Sequence, residues 1–287
     1  DERVIFGDGV VVADGATGTN YQRMGIEPGL APEQWVFDAP EKVRELHRRF
    51  LDAGSRLILT CTFGGSSLRL ADEALAGRGP ELNRRAAELA REAAGDGVLV
   101  AGSVGPTGHL ADPLGPLTRE LAVATFGEQA RALAEGGVDL LVLETFFSLD
   151  EGLWAVEGVR AATDLPLVVS YSFDQGTRTM MGLTPTQVVE AFAPLGVAAV
   201  GANCGKSLEE TDRIVDELLA AVPEGLPLWV KPNAGVPRVV GEDVVYDAGP
   251  EDMARHLRSY VGRGVTVVGG CCGTTPEHVA AIASAVG

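Results

Sequence analysis

The chain has 287 residues, 46% of them hydrophobic and 22% charged, so it can bury a substantial core and is unlike a disordered protein. Its net charge of −17 argues against a nucleic-acid partner, because phosphate binding needs lysine and arginine to displace counterions. No apolar run is long enough to span a bilayer, and the chain starts with charged residues, so no membrane partner or signal peptide is predicted. Four cysteines are too few for a secreted disulfide framework, which predicts a cytoplasmic protein with thiols available for metal or catalysis.

Short, continuously apolar segments recur along the chain, as is typical of parallel strands buried on both faces. They lie at residues 10–14, 56–60, 98–103, 139–145, 166–172, 198–204, 227–233 and 265–270. Amphipathic segments with helical spacing lie between and after them, at 41–54, 80–94, 119–137, 148–163, 184–196, 207–222, 250–264 and 275–287. Proline, serine or threonine opens several of these segments and glycine closes several, which is the usual pattern of helix ends.

Eight strands and eight helices in strict alternation predict an α/β fold, a single (β/α)8 TIM barrel over residues 1–287. An open doubly wound sheet could hold eight strands, but the length favours the barrel. In such a barrel the active-site residues lie at the carboxyl ends of the strands. The predicted strand ends carry Asp14-Gly15, Thr60-Cys61-Thr62, Ser103, Glu144-Thr145, Ser170, Asn203-Cys204, residues 231–233 and Gly270-Cys271-Cys272.

Three cysteines follow the sixth and eighth strands, which are next-but-one neighbours in a closed barrel. Because successive side chains of a strand point to opposite faces, adjacent Cys271 and Cys272 converge only if the backbone leaves strand geometry. The glycines at 269–270 and Gly273 allow this, since glycine reaches conformations closed to other residues. Together with Cys204, the pair would form a zinc site with three protein ligands and an open fourth position, the pattern of a catalytic site.

Other interpretations of these cysteines stay open at this point. Buried cysteines often act as small hydrophobic residues, and Cys271 and Cys272 could form a strained vicinal disulfide or serve a redox protein. Cys61 is interpreted as a small apolar residue between two threonines. His278 lies in the first turn of a predicted helix and is interpreted as a surface residue or a neighbour of the site.

Three thiolate ligands have a chemical consequence for a bound zinc ion. Soft sulfur ligands make the metal a poor activator of water and favour a fourth sulfur instead. A substrate thiol with an ordinary pKa of about 8.5 would then be bound as the thiolate, a nucleophile that needs no general base. The cysteine pattern therefore predicts thiol alkylation.

Four motifs occur in a fixed order along the chain: DGATGT at 14–19, GANC at 201–204, KPNAG at 231–235 and GGCCGTTPEH at 269–278. In this order they resemble the zinc-dependent homocysteine S-methyltransferases, and most closely the homocysteine-binding module of cobalamin-dependent methionine synthase. The resemblance covers essentially the whole chain from near residue 10. It implies a barrel that transfers a methyl group to the thiol of L-homocysteine and gives methionine.

The resemblance also implies roles for individual residues. Cys204, Cys271 and Cys272 match the zinc ligands at the centre of catalysis, with the homocysteine thiol in the fourth position. Asp14 and Glu144 match the carboxylates that hold the substrate ammonium group. From the residues alone, Asp14 could instead form an Asx-turn before a glycine, and Glu144 could be a helix-cap neighbour.

Further substrate contacts follow from the same resemblance. The backbone amides around Gly18 and Thr19 match the cradle of the substrate carboxylate, and Ser170 and Asn233 match additional polar contacts. One departure lies after the second strand, where Cys61 stands in place of the asparagine that methionine synthases commonly carry. This change removes a polar amide near the mouth. Lys206, at the same rim, has no assigned role.

The resemblance leaves the methyl donor open. Methylcobalamin would be supplied by a corrinoid protein or domain, whereas S-methylmethionine or S-adenosylmethionine would be bound directly. No aromatic cage for a methylated cation is evident, because Trp35, Trp154 and Trp229 are scattered and are assigned to the core. The alternatives to homocysteine methylation are methylation of a different small thiol and a non-catalytic, zinc-holding partner of a corrinoid protein.

Overall fold

The computed structural model describes residues 5–71, 74–241 and 243–287, in which ten strands occur. In chain order they are β1 (Val11–Val12), β2 (Leu57–Leu59), β3 (Leu99–Val104), β4 (Leu140–Phe146), β5 (Leu167–Tyr171), β6 (Ala199–Cys204), β7 (Leu228–Pro232), β8 (Pro237–Val240), β9 (Asp243–Tyr246) and β10 (Val267–Val268). Eight of them overlap the eight predicted strands. The other two, β8 and β9, form a separate antiparallel hairpin.

The described part of the chain also contains ten α-helices. They are α1 (Gly18–Arg23), α2 (Trp35–Asp38), α3 (Pro40–Asp52), α4 (Gly79–Ala94), α5 (Arg119–Glu135), α6 (Leu149–Ala162), α7 (Pro185–Phe192), α8 (Leu208–Ala221), α9 (Pro250–Gly262) and α10 (Pro276–Val286). Proline stands in the first turn of several, and hydroxyl side chains cap α5, α7, α8 and α10 by accepting a backbone N–H bond. Within the described ranges, none of these helices combines the length and the apolar character needed to cross a membrane.

The predicted strict alternation of strands and helices is wrong at two places. Helices α1 and α2 lie between β1 and α3, and the β8–β9 hairpin lies between β7 and α9. Both insertions escape sequence reasoning for a physical reason. The helices are only 6 and 4 residues long, too short for an amphipathic period, and β8 is exposed along its whole length, so it lacks the apolar character of a buried strand.

The eight-stranded sheet has the order β1-β10-β7-β6-β5-β4-β3-β2, with every neighbouring pair parallel. A parallel β-bridge between Ala13 and Leu57 joins the chain at β1 to β2, the strands at the two ends of this order. There the Arg56 N–H donates to the Val12 carbonyl at 2.8 Å. The predicted TIM barrel is therefore confirmed, and all eight carboxyl strand ends open at the same end of it.

The barrel interior is layered along its axis. Its lower part is filled by fully buried apolar side chains such as Leu140, Val142 and Trp229. A second apolar layer, which includes Trp35, packs between the strands and the surrounding helices. Buried polar and charged side chains from several strand ends lie above the apolar residues of the barrel interior. They form the floor of the candidate site.

Candidate active site and metal centre

A cavity of about 580 Å³ opens at the carboxyl ends of the barrel strands. Its walls include six of the residues predicted for the site: Gly18, Thr19, Glu144, Cys204, Cys271 and Cys272. Asp14, Ser170 and Asn233 do not line it and lie behind its wall. The volume is in the range of cavities that bind drug-sized ligands, and it exceeds what one small amino acid fills.

Three thiols converge at one wall of this cavity. The Sγ atoms of Cys204, Cys271 and Cys272 lie within 4.8 Å of one another, and those of Cys204 and Cys271 are 2.9 Å apart. Cys204 ends β6, and the other two follow β10. Because all three line the cavity, they can serve as three ligands of a tetrahedral metal site whose fourth position faces the cavity.

Two different properties of glycine shape the loop that carries Cys271 and Cys272. Gly273 has a φ of +80°, a conformation that other residues rarely adopt. At Gly269 and Gly270 the requirement is space, not a positive φ. A Cβ on Gly270 would lie 2.3 Å from Thr274 Cγ2, and one on Gly269 would lie 2.8 Å from the Asp14 carbonyl oxygen. The expected conformational freedom is thus confined to Gly273.

The proximity of the thiols governs their ionisation. Hydrogen bonds from Cys204 and Cys271 lower the pKa of Cys272, whereas the same contacts raise the pKa of Cys204 well above its usual value. One thiolate is therefore stabilised, and ionisation of the others is opposed. A divalent cation removes this opposition because its charge compensates for several thiolates at once. The all-sulfur donor set suits zinc.

A buried ion pair lies at the floor of the cavity. Lys231 Nζ donates to Asp14 Oδ1 at 2.7 Å, and both side chains are only 4% exposed. The second oxygen, Asp14 Oδ2, accepts from the Leu59 N–H at 2.9 Å. Burial lowers the pKa of Lys231, but the charges of Asp14 and Glu144 outweigh this and raise it. The lysine is therefore held as a cation near Cys271.

Glu144 faces the cavity from the end of β4. It accepts a hydrogen bond from the Ser103 hydroxyl, which fixes one of its oxygens. Burial raises the pKa of Glu144 to about 7, with the positive charge of Lys231 acting in the opposite direction. Of the two predicted carboxylates, Glu144 is the one that lines the cavity.

A sequence model of the family described as Homocysteine S-methyltransferase matches residues 11–286, nearly the whole chain. The chain belongs to the homocysteine S-methyltransferase family. A methionine synthase from Mycobacterium leprae (strain TN) is 30% identical over 295 residues, which cover 96% of this chain and 24% of the synthase. The chain thus spans about a quarter of the length of that curated relative.

Solved structures show the same relationship. The homocysteine methyltransferase MmuM from Escherichia coli in its metallated form is 26% identical, with a TM-score of 0.82 over 98% of each chain. Its apo form gives a TM-score of 0.77 over 99% of this chain and 98% of that one. The predicted resemblance to homocysteine S-methyltransferases is therefore confirmed across the whole barrel.

The remaining residues that the family resemblance singled out lie around the thiols. Ser170 is fully buried and its hydroxyl donates to Asn203 Oδ1 at 2.7 Å. Asn233 donates to the Gly205 carbonyl at 2.7 Å and accepts from the Cys272 N–H at 2.9 Å, so it joins the loops that carry Cys204 and Cys272. In these positions both residues contact protein groups that hold the cysteines.

The first βα loop also touches the cysteine loop. Gly18 and Thr19 form the first turn of α1 and line the cavity. The Gly273 N–H donates to Thr19 Oγ1 at 3.3 Å. The predicted carboxylate cradle is therefore next to the loop that carries Cys271 and Cys272, although Thr19 and Gly273 are 254 residues apart in sequence.

Cys61 and His278 lie outside the cluster of three thiols. Cys61 lines the cavity and is 3% exposed, and burial raises the pKa of its thiol. His278 is buried, not a surface residue: its Nε2 lies 2.9 Å from the Ala248 carbonyl oxygen and its Nδ1 lies 2.9 Å from Thr275 Oγ1. Lys206 is exposed at the rim.

Sequence reasoning missed three residues that the structure brings into this family's site. The role of Lys231 depends on a partner 217 residues away, although its place at a strand end was a usable signal. Asn203 was also read only as a strand end. Tyr246, from the unpredicted hairpin, packs on Gly273, and burial and the neighbouring Cys272 thiolate raise its pKa to about 12.

Proposed function

We propose that this barrel transfers a methyl group to the thiol of L-homocysteine and gives methionine, with zinc bound by Cys204, Cys271 and Cys272. The observation that carries the proposal is the convergence of three thiols within 4.8 Å at the wall of an open cavity. Family membership supports it, as does the similarity to the homocysteine methyltransferase from Escherichia coli and the methionine synthase from Mycobacterium leprae.

The reaction is a displacement at a methyl carbon. Cys204, Cys271 and Cys272 would hold zinc as a Lewis acid that lowers the pKa of the substrate thiol, so that the thiol would release its proton to solvent and its sulfur would be nucleophilic at neutral pH. A lone pair of the sulfur forms the new S–CH3 bond, while the bond between the methyl carbon and the donor breaks and its electrons stay with the donor. The residues of the cavity contribute mainly by orienting the two reactants.

Homocysteine would be held by charge pairing at its amino and carboxyl groups. Glu144 would hold the ammonium group from the cavity wall, and Asp14 would add its charge from the floor beneath, where it is bound to Lys231. The unpaired first-turn amides around Gly18 and Thr19 would bind the substrate carboxylate. The predicted polar contacts from Ser170 and Asn233 remain part of the proposal, with both residues acting behind the wall.

The cavity supports a small methyl donor, because its volume of about 580 Å³ leaves room for a second small molecule beside homocysteine. S-methylmethionine is a donor of that size. Methylcobalamin from a corrinoid protein or domain is the alternative, and it predicts turnover only when that cofactor is delivered. A single homocysteine-binding domain over residues 1–287 and a cytoplasmic location remain predictions, the latter consistent with four free thiols.

Metal content and methionine formation test the proposal together. Purified protein should hold one zinc ion per chain and convert homocysteine to methionine with S-methylmethionine or with methylcobalamin. Cys204→Ser should lose both zinc and product. Cys61→Ala is the matched cysteine control and should keep the zinc, because Cys61 lies outside the cluster. If Cys204→Ser still holds stoichiometric zinc and forms methionine, the proposal is wrong. If the parent protein holds zinc but forms no methionine, a non-catalytic partner is favoured.

A further inference from the structure

The ends of β4 and β6, which are next-but-one neighbours in the sheet, have an unusual backbone conformation. Among residues 5–71, 74–241 and 243–287, the non-glycine residues with positive φ are Thr145 at 63° and Cys204 at 61°. Non-glycine residues rarely adopt this left-handed region of φ, and a β-branched residue such as threonine adopts it least readily. Such a conformation persists only where the surrounding contacts enforce it, so the contacts around the two strand ends must hold both residues.

The amide of Asn203 supplies the contacts at Thr145, and the Cys204 carbonyl accepts from the Asn233 N–H at 3.1 Å. Asn203 Oδ1 accepts from the Thr145 N–H at 2.9 Å and from the Ser170 hydroxyl at 2.7 Å. Its Nδ2 donates to Thr145 Oγ1 at 2.7 Å. Because a backbone N–H can only donate, the atom that faces the Thr145 N–H must be the amide oxygen, and this determines the orientation of the whole amide.

With this orientation, the NH2 group of Asn203 faces the sulfurs. Nδ2 lies 3.5 Å from Cys204 Sγ and 3.9 Å from Cys271 Sγ. Thr145 Oγ1 is a further polar atom 3.8 Å from Cys204 Sγ. Asn203 itself is 3% exposed and lies outside the residues that line the cavity, so its contacts are with the ligands and not with a substrate.

We propose that Asn203 is a positioning residue for the metal centre. Its amide holds Thr145 in its left-handed conformation, and the second hydrogen of its NH2 group points toward the Cys204 and Cys271 sulfurs and positions them. This inference rests on the proposed zinc site. Hydrogen-bonding partners of metal ligands commonly change metal affinity by about tenfold to a hundredfold, so Asn203 acts on how tightly and in what geometry the metal is held.

The decisive variant is Asn203→Asp, which keeps the accepting oxygen but replaces the NH2 donor with a second oxygen beside the sulfurs. We expect the dissociation constant for zinc, measured by competition with a chromophoric chelator, to rise about tenfold or more. The absorption band of the Co²⁺-substituted protein that arises from thiolate ligation should also shift. Both readouts are independent of methyl transfer.

Asn83→Asp is the matched control, because Asn83 is similarly buried and its NH2 group donates to the carbonyls of Gly65 and Gly79 instead of facing the thiols. It should lower the melting temperature of the protein and leave zinc affinity unchanged. A zinc affinity of Asn203→Asp within twofold of the parent, or an equal loss in Asn83→Asp, would overturn the inference. If the parent itself binds no zinc, the proposed function fails instead.

A second pair of variants covers the case in which Asn203→Asp does not fold. Thr145→Ser keeps the hydroxyl that receives the Asn203 bond, whereas Thr145→Val removes it and keeps the shape. We expect parent-like zinc affinity in Thr145→Ser and a severalfold weaker affinity in Thr145→Val. Equal zinc affinities in the two variants would show that the hydrogen bond from Asn203 to the Thr145 hydroxyl does not affect metal binding.

Discussion

The cavity has two walls that are built differently. The cysteine wall comes from strand ends and consists of Thr145, Cys204, Cys271, Cys272 and the supporting Asn203. The outer wall comes from the segment around α1 and α2 and from the loop after β2, and it consists of Gln22, Glu33, Cys61, Phe63 and Arg69. The cysteine wall is held by hydrogen bonds between β4 and β6 and by a hydrogen bond between the loops after β7 and β10.

The outer wall depends on contacts within and between loops. Arg69 lies over the Phe63 ring with 5.2 Å to its centroid and donates to the Pro106 carbonyl. Glu33 accepts from the Gly64 N–H at 2.6 Å. Loops tolerate change better than strand ends do. We propose a division of labour in which the cysteine wall, the floor beneath it and the first turn of α1 serve the thiol substrate, and the five side chains of the outer wall serve the methyl donor.

A substitution in the ion pair at the floor of the cavity should give the largest effect, which is on the stability of the protein. Lys231→Met leaves the buried Asp14 carboxylate without its cation, and we expect a loss of about 3–5 kcal/mol in the free energy of unfolding, measured with urea. Arg44→Met, which breaks the more exposed pair with Glu92, is the control and should cost no more than about 1 kcal/mol. A Lys231→Met protein as stable as the parent would show that the pair does not anchor the floor.

Glu144→Gln should sharpen the assignment of the thiol substrate. Loss of the charge that pairs with the ammonium group should raise KM for homocysteine about a hundredfold, while KM for the donor stays unchanged. With its pKa near 7, Glu144 becomes neutral as the pH falls below 7. In the parent, kcat/KM for homocysteine should therefore decrease about tenfold per pH unit there.

The same pH profile in Glu144→Gln provides the check. A glutamine does not titrate in this range, so the part of the decrease below pH 7 that comes from Glu144 should disappear. If the profiles of parent and variant coincide, another group controls the pH dependence and the assignment of Glu144 is wrong.

Arg69→Met tests the outer wall. Removal of the guanidinium over Phe63 should raise KM for the donor about threefold to tenfold, the size of a partly desolvated cation–π contact of about 1 kcal/mol, without a change in KM for homocysteine. Arg78→Met is matched to it, because Arg78 stacks on Phe37 at 3.7 Å and does not line the cavity. A rise in KM for homocysteine alone would reverse the assignment of the two walls.

Tyr246→Phe should give the smallest effect. The ring that packs on Gly273 is kept, and only the hydroxyl beside Cys272 is lost. We expect a zinc dissociation constant no more than about threefold higher. Tyr246→Ala, which also removes the ring, should have a larger effect. Equal effects of the two variants would show that the hydroxyl, and not the packing, carries the contribution of the hairpin.

Much of this protein could be predicted from the sequence. The continuous apolar segments identified the eight barrel strands, and the positions of Cys204, Cys271 and Cys272 at the ends of two of them indicated a shared metal site. These features are local: a buried parallel strand needs a run of apolar residues, and a strand end is recognisable where that run stops. Closure of the barrel then brings the ends together.

Only the tertiary structure decided which buried polar groups form hydrogen bonds with one another at the carboxyl ends of the strands. Asp14 was predicted to hold the substrate ammonium group, and the structure adds that its oxygens accept hydrogen bonds from Lys231 and from the Leu59 N–H. Asn203 supports the thiols through a residue on another strand. Such pairings depend on register and on backbone conformation at positions far apart in the chain, and a buried polar group accepts whichever partner the closed barrel places within hydrogen-bond distance.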